Sequence, residues 1–289
     1  MGEEQYLNLI NNVLNNGTYE DTRNGKTISL FGEMMKFSLD NNVVPFITTK
    51  KLAWKTCLKE LLWFISGSTD NTILTEQNVN IWKENANEYK ERMFYKENKT
   101  VSEGELGPVY GHQWRHFNES YSNKDVDYKG GVDQLHEIIN TLKNPDTRTS
   151  RRIILSAWNP CQLHEMALPP CHLLCQFHVS NGDRLHCCLY QRSGDIGLGV
   201  PFNIASYSML THIIAKICGL KAYEFTHFIG NAHIYENHID MLKKQLENTP
   251  LKFPTIDILR EIDIDDIKLD DIKINDYQHH STINMKMSV

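Results

Sequence analysis

The stretch Met166-Ala167-Leu168-Pro169-Pro170-Cys171-His172-Leu173-Leu174-Cys175-Gln176-Phe177 constrains this chain more than any other. Each proline locks φ and removes an N–H, so the pair can stand at the entrance of a strand but not inside a sheet or helix. The apolar run after Cys171 has the composition of that strand. The thiol is therefore held by rigid backbone at a strand mouth. There it is either a nucleophile or, like most free cysteines, a small buried hydrophobe.

A chain of 289 residues, 40% hydrophobic and 23% charged, can be filled by one large core. Its net charge of -6 favours solubility and argues against nucleic acid as the main partner, while a local arginine cluster could still hold a small anion. The seven cysteines are odd in number and include the adjacent pair Cys187-Cys188. With an acidic start that lacks an apolar leader, they predict reduced thiols in an intracellular, cytoplasmic protein. No apolar run approaches membrane-spanning length. Cys161, His164, Cys171, Cys175 and His178 contain no CxxC pair and are interrupted by the prolines, so no metal is expected.

Apolar spacing predicts a helix over 3–16 that Gly17 ends. A polar turn at 22–27 carries Arg23 into a strand at 28–32. Thr48-Thr49-Lys50-Lys51 reads as the cap of a helix from Trp54 to Ser66, with Glu60 set among Leu61, Leu62 and Trp63. The charged residues 83–105 and the loop-like 118–130 read as surface insertions. Between them Gly107-Pro108-Val109-Tyr110-Gly111-His112-Gln113-Trp114-Arg115 forms a rigid aromatic turn of the kind that lines a site or buttresses a core. A helix over 132–142, a β-rich run at 153–158 and strands at 173–179 and 185–190 follow. A long apolar helix then runs from Val200 to about Cys218, with Gly219 as its stop. His233 and Tyr235, two apart on a strand, share one face. The Ile/Asp phrases around 262–267 read as half-exposed strands.

Arginines at 23, 151, 152 and 192 could grip a phosphate dianion and also favour the thiolate of a nearby cysteine. A thiolate beside a phosphate-anchored substrate suggests covalent catalysis on a nucleotide. The residues alone leave the base and the reaction open.

Six separated blocks carry a resemblance: Glu60-Leu61-Leu62-Trp63-Phe64, 106–115, Ser150-Arg151-Arg152-Ile153-Ile154, 167–172, 191–206 and His233-Ile234-Tyr235. In this order they resemble the thymidylate synthase family nearly end to end. The resemblance implies a single α/β (α+β) domain over 1–289, with a bent mixed sheet whose face forms a homodimer interface. It implies conversion of dUMP to dTMP, with 5,10-methylenetetrahydrofolate as one-carbon donor and reductant. Cys171 would add to uracil C6. Arg23, Arg192 and Ser193 would hold the phosphate, with Arg151 and Arg152 coming from the other subunit. His233 and Tyr235 would bond the sugar 3′-hydroxyl, Asn203 would face the uracil edge, and His172 and Gly194 would also stand on the substrate side. Asp195 would meet the pterin, and Trp82, Leu168 and Phe202 would pack around the folate. Glu60 and Tyr110 would manage protons. The tail 285–289, Ser288 included, would close over the ligands. A pyrimidine hydroxymethylase of the same fold and a catalytically silent homologue are the alternatives. The sequence departs from the family pattern at Lys83, Asn231 and Ala53, in a shorter Arg23 turn and in extra residues at 147–149.

Overall fold

A computed structural model describes residues 2–287. Ser288 and Val289, expected in the closing tail, lie outside the described residues. The elements in chain order are α1 (Glu4–Asn16), β1 (Thr18–Thr22), β2 (Gly25–Ser38), α2 (Trp54–Ile65), α3 (Asn71–Glu76), α4 (Lys83–Glu97), α5 (Tyr110–Arg115), α6 (Gln134–Lys143), β3 (Ile154–Ser156), β4 (His172–Ser180), β5 (Arg184–Asp195), α7 (Gly199–Cys218), β6 (Lys221–Tyr235), α8 (Ile239–Leu246), β7 (Thr255–Ile258) and β8 (Ile272–Asn275). β1 to β6 form one mixed sheet in the order β1-β2-β6-β5-β4-β3. Every junction is antiparallel except β5 with β6. A parallel pair needs a crossover, and α7 supplies it.

The two faces of the sheet follow from the alternation of side chains along each strand. The cross-strand row Cys175, Leu189, His227, Met35 is buried throughout. One residue along, Leu174, Tyr190, Phe228 and Met34 stand opposite one another and are 36% to 53% exposed. The buried face lies under α7, which also packs on α2 and α6. Residues on nearly every side of α7 are buried, as a helix apolar all round requires. Gly219 ends it at φ +64°, a conformation that costs glycine nothing.

Three expectations are corrected. Thr48 and Thr49 do not cap α2, which begins after Ala53 without a side-chain cap. Their amides and hydroxyls instead donate to the buried Glu3 carboxylate at 2.5 to 2.9 Å, joining the start of α1 to the core. Residues 262–267 form a turn, not strands. Arg260 holds it by pairing Nε and Nη2 with the Asp271 carboxylate at 2.6 and 2.8 Å and donating from Nη2 to the Asp266 carbonyl at 2.7 Å. The stretch 107–115 is a turn only as far as Val109 and then a short helix. The charged run at 83–105 contains α4, which buries Ala86, Tyr89 and Met93.

Glu3 satisfies four donors at once, so replacing it strands several of them in a dry site. Glu3→Gln is expected to lower unfolding stability by about 2 kcal/mol, read from urea denaturation midpoints. A shift indistinguishable from zero would mean that the Thr48-Thr49 donors find other partners.

Candidate active site

Residues 166–171 are placed by a close backbone approach. Gly107 has φ +72°, and a Cβ there would lie 2.1 Å from the Glu165 carbonyl oxygen. Only glycine allows the two segments to meet, and the Ala167 amide then donates to the Leu106 carbonyl at 2.8 Å. α5 follows directly and brings Tyr110 to the thiol-bearing residue, where the Cys171 amide donates to Tyr110 Oη at 2.7 Å. This answers the backbone donor that the preceding prolines leave isolated. The Tyr110 ring in turn stacks on His172, centroids 4.0 Å apart.

Arg192 completes the clamp from β5. Its Nε donates to the Pro170 carbonyl at 2.8 Å and its Nη2 to the Pro169 carbonyl at 2.9 Å. Nη2 also faces Cys171 Sγ at 3.6 Å. The Arg192 amide donates to the Cys171 carbonyl at 2.8 Å, so the strap is bound through both backbone and side chain. Burial pushes the Cys171 thiol up, and the Arg192 guanidinium pulls it back down. Among the described residues Arg192 Nη1 has no hydrogen-bond partner, which leaves two N–H groups for an anion.

A cavity of about 450 Å³ opens at the carboxyl ends of β5 and β6 and the start of α7. Open α/β sheets bind ligands at such strand ends, and the register explains which residues reach it. Ser193 pairs with Asn231 and Asp195 with His233, so these four side chains share a face. Tyr235 follows two residues beyond His233 on the same strand. Cys171, His172, Tyr110, Arg23, Arg192, Asn203, Trp82 and Leu168 also line the cavity. Gly194 falls on the opposite face, where a Cβ would sit 2.9 Å from Val200 Cγ2, so it can touch a ligand only through backbone. A larger cavity of about 570 Å³, lined by Tyr89, Glu105, Tyr121 and His164 among others, holds neither arginine nor cysteine.

Four expected residues stand off the cavity wall. Glu60 lies behind Trp82, accepting from its Nε1 at 2.8 Å. Phe202 is partly buried against the core, and its carbonyl accepts from Cys57. Arg151 and Arg152 are exposed and line no part of this cavity.

The titratable groups are sharply divided. Burial raises Glu60 to about 7, against the opposing hydrogen bond from Trp82. Burial likewise raises Tyr110 well above the usual phenol range, with the Cys171 charge adding to it. His172 is lowered to about 3 by burial and by His227, so it is a neutral ring bonded through Nδ1 to Tyr207 Oη at 2.8 Å. Asn203 makes no side-chain hydrogen bond among the described residues, leaving its amide O and NH₂ to a ligand. The site can thus present a guided thiolate, a cationic anion grip, an amide edge reader and a carboxyl near neutrality.

Two contributors escaped the sequence reading. Asn231 was noted only as a departure, yet its Oδ1 stands 3.0 Å from His233 Nδ1 and fixes which ring nitrogen faces the cavity. Its place two residues before His233 on one strand was the available signal. Gln191 sits beneath, its Oε1 2.8 Å from His227 Nε2 and its Nε2 donating to the Ser193 carbonyl at 2.9 Å. Nothing in its spacing marked it.

A family model described as thymidylate synthase matches residues 4–289. The chain is 51% identical to human thymidylate synthase, covering 100% of this chain and 91% of that protein. It is 49% identical to the thymidylate synthase of Saccharomyces cerevisiae, covering 99% and 97%. Identity is also 49% to the bifunctional dihydrofolate reductase-thymidylate synthase of Plasmodium berghei, over 99% of this chain and 48% of that protein.

Glu60 makes stability depend on pH. The folded carboxyl keeps its proton to about pH 7, while the unfolded one loses it near 4.5. Unfolding therefore releases a proton between these values, and stability falls as pH rises through that window. The full cost above it is about 3 kcal/mol at 1.4 kcal/mol per unit. Glu60→Gln should equal wild type at pH 4 and exceed it by about 2–3 kcal/mol at pH 8, compared by urea unfolding. An offset that does not change with pH would contradict the assignment.

Proposed function

The chain belongs to the thymidylate synthase family and is a methyltransferase, and from that premise we propose how its own residues convert dUMP to dTMP. The observation that carries the proposal is Cys171 Sγ held 3.6 Å from Arg192 Nη2, in a cavity whose wall also carries Asn203. Arg192, with Ser193 and Arg23, binds the 5′-phosphate. Arg23 sits at the tip of the β1–β2 hairpin, at a turn whose Gly25 has φ +122°. His233 and Tyr235 take the sugar 3′-hydroxyl. Asn203 accepts from uracil N3–H and donates to O4, which orients C6 over the thiolate.

Cys171 Sγ forms a bond to C6, and the electron pair moves to C5 with the charge shared by O4. C5 becomes nucleophilic and, after gaining the one-carbon unit, must lose its proton before Sγ can leave. Glu60 and the Tyr110 hydroxyl manage that proton, and a carboxyl at about 7 can both take and return it near neutrality. Burial keeps the Tyr110 phenol protonated, so it remains a donor while it accepts from the Cys171 amide. Methylenetetrahydrofolate, when bound, supplies the one-carbon unit and the hydride. Ile81, Trp82 and Leu168 offer apolar walls for a flat ring beside the Asp195 carboxylate, which suits an N–H-bearing heterocycle. The tail at 285–287 closes over it and excludes water.

We place the reaction in a cytoplasmic homodimer. The exposed row Leu174, Tyr190, Phe228 and Met34, with Phe31 and Tyr19 also exposed, is an apolar face that a second copy could cover. Arg151 and Arg152, exposed and away from their own cavity, then serve the partner's phosphate. All seven cysteines are free, and among the described residues no helix is long and apolar enough to cross a membrane. Synthases matched over the whole chain favour neither a hydroxymethylase nor a silent homologue.

A dUMP analogue with fluorine at C5 cannot give up that position as a proton. With methylenetetrahydrofolate it should stop the reaction as a covalent complex whose intact mass rises by nucleotide plus folate. Peptide mapping should find the label on Cys171, and Cys171→Ser should give none. A label on Cys187 or Cys188, or no adduct, would overturn the mechanism.

A further inference from the structure

A buried histidine lies behind the cavity and takes no part in the steps above. His238, just after β6, has a side chain 0% exposed. Its Nε2 lies 2.7 Å from the Lys286 carbonyl oxygen, an acceptor, so Nε2 carries the proton and donates. Its Nδ1 stands 3.5 Å from Asp195 Oδ1, an ion-pair separation short of a hydrogen bond, and has no other polar partner among the described residues. The ring thus spans the gap between the carboxylate at the cavity and the backbone of the tail.

Residue 197 shows that this approach is built in. A Cβ there would lie 2.6 Å from His238 Nδ1 and 3.0 Å from Met285 Sδ, so only glycine lets ring and tail both come close to Asp195. The Gly197 amide donates to Asp195 Oδ1 at 2.9 Å, and its carbonyl accepts from the buried Lys50 ammonium. Among the described residues the charged and titratable groups facing the ring are Asp195 from β5, Lys50 from the segment before α2, and His233 and Tyr235 from β6, the last with its ring centroid 5.6 Å away. Burial and Lys50 disfavour a second proton on His238, but Asp195 and the Lys286 carbonyl outweigh them and raise its pKa above the ordinary imidazole value.

We infer that His238 is a positioning residue for the folate half of the reaction: its ring couples the Asp195 carboxylate to the backbone at Lys286 and so seats the closing tail. The inference rests on Asp195 meeting the folate, as proposed above. A singly protonated ring turns the Nδ1 lone pair toward a carboxylate, which repels it. A doubly protonated ring donates to the tail and attracts Asp195 together. The coupling is present at low pH and is lost as pH rises through the raised pKa.

The test is steady-state kinetics on the full chain with dUMP and methylenetetrahydrofolate from pH 6 to 9. Absence of dTMP with wild type would refute the proposed function itself, so that failure is distinguishable. With turnover established, wild-type KM for folate should climb with pH while KM for dUMP does not, and a flat folate KM would overturn the inference without any variant. His238→Gln keeps an N–H for the Lys286 carbonyl but carries no charge for Asp195. It should raise folate KM about tenfold at pH 6.5, leave dUMP KM within roughly twofold and flatten the pH dependence. Unchanged folate KM, or equal losses for both substrates, would overturn the role.

Discussion

The site depends on one guanidinium. Arg192 ties down the carbonyls of Pro169 and Pro170, two acceptors in a segment that cannot enter a ladder, and with the same group faces Cys171 Sγ. Buried carbonyls left unpaired would be costly, and a buried thiolate left unpaired more so. One planar cation with five donors meets both needs and keeps Nη1 in reserve. Lysine, with one nitrogen, could not hold two carbonyls in this fixed fork. Position and ionisation of the Cys171 thiol are therefore governed by the same contact.

The sheet makes that contact possible. Its single parallel junction puts the carboxyl ends of β5 and β6 side by side, with the start of α7 beside them. Arg192, Ser193 and Asp195 come from one strand, Asn231, His233 and Tyr235 from the other, and Asn203 from the helix. Side-chain alternation leaves the other face to Leu174, Tyr190, Phe228 and Met34, which are exposed. α5 adds Tyr110 to the cavity wall and α2 sets Glu60 behind Trp82, where dry surroundings raise both pKa values.

Much of this was legible in the sequence. Pro-Pro before Cys171 announced a rigid strand mouth, and the i, i+2 pairing of His233 with Tyr235 announced a common face. α7 was readable from its apolar run and Gly219. The threonines at 48–49 misled because a hydroxyl near a helix start looks the same whether it caps that helix or serves a carboxylate 45 residues away. The Ile/Asp run misled for a related reason. Alternation favours a strand locally, but Arg260 binds Asp271 and the Asp266 carbonyl and bends the segment into a turn. Gln191 reaches His227 only because β5 pairs with β6, and no local pattern encodes that. Asn231 lies two residues before His233 on one strand, a local signal that the sequence reading passed over.

The most direct measurement of the central claim is the pH dependence of Cys171 alkylation by iodoacetamide, followed by peptide mass spectrometry in wild type and Arg192→Gln. If the guanidinium both braces the strap and favours the thiolate, the apparent thiol pKa should be higher in the variant by about one unit, the scale of one nearby charge. The reaction rate at pH 8 should fall accordingly. An unchanged pKa in a folded variant would show that Arg192 does not govern the nucleophile, and the account built on it would be wrong.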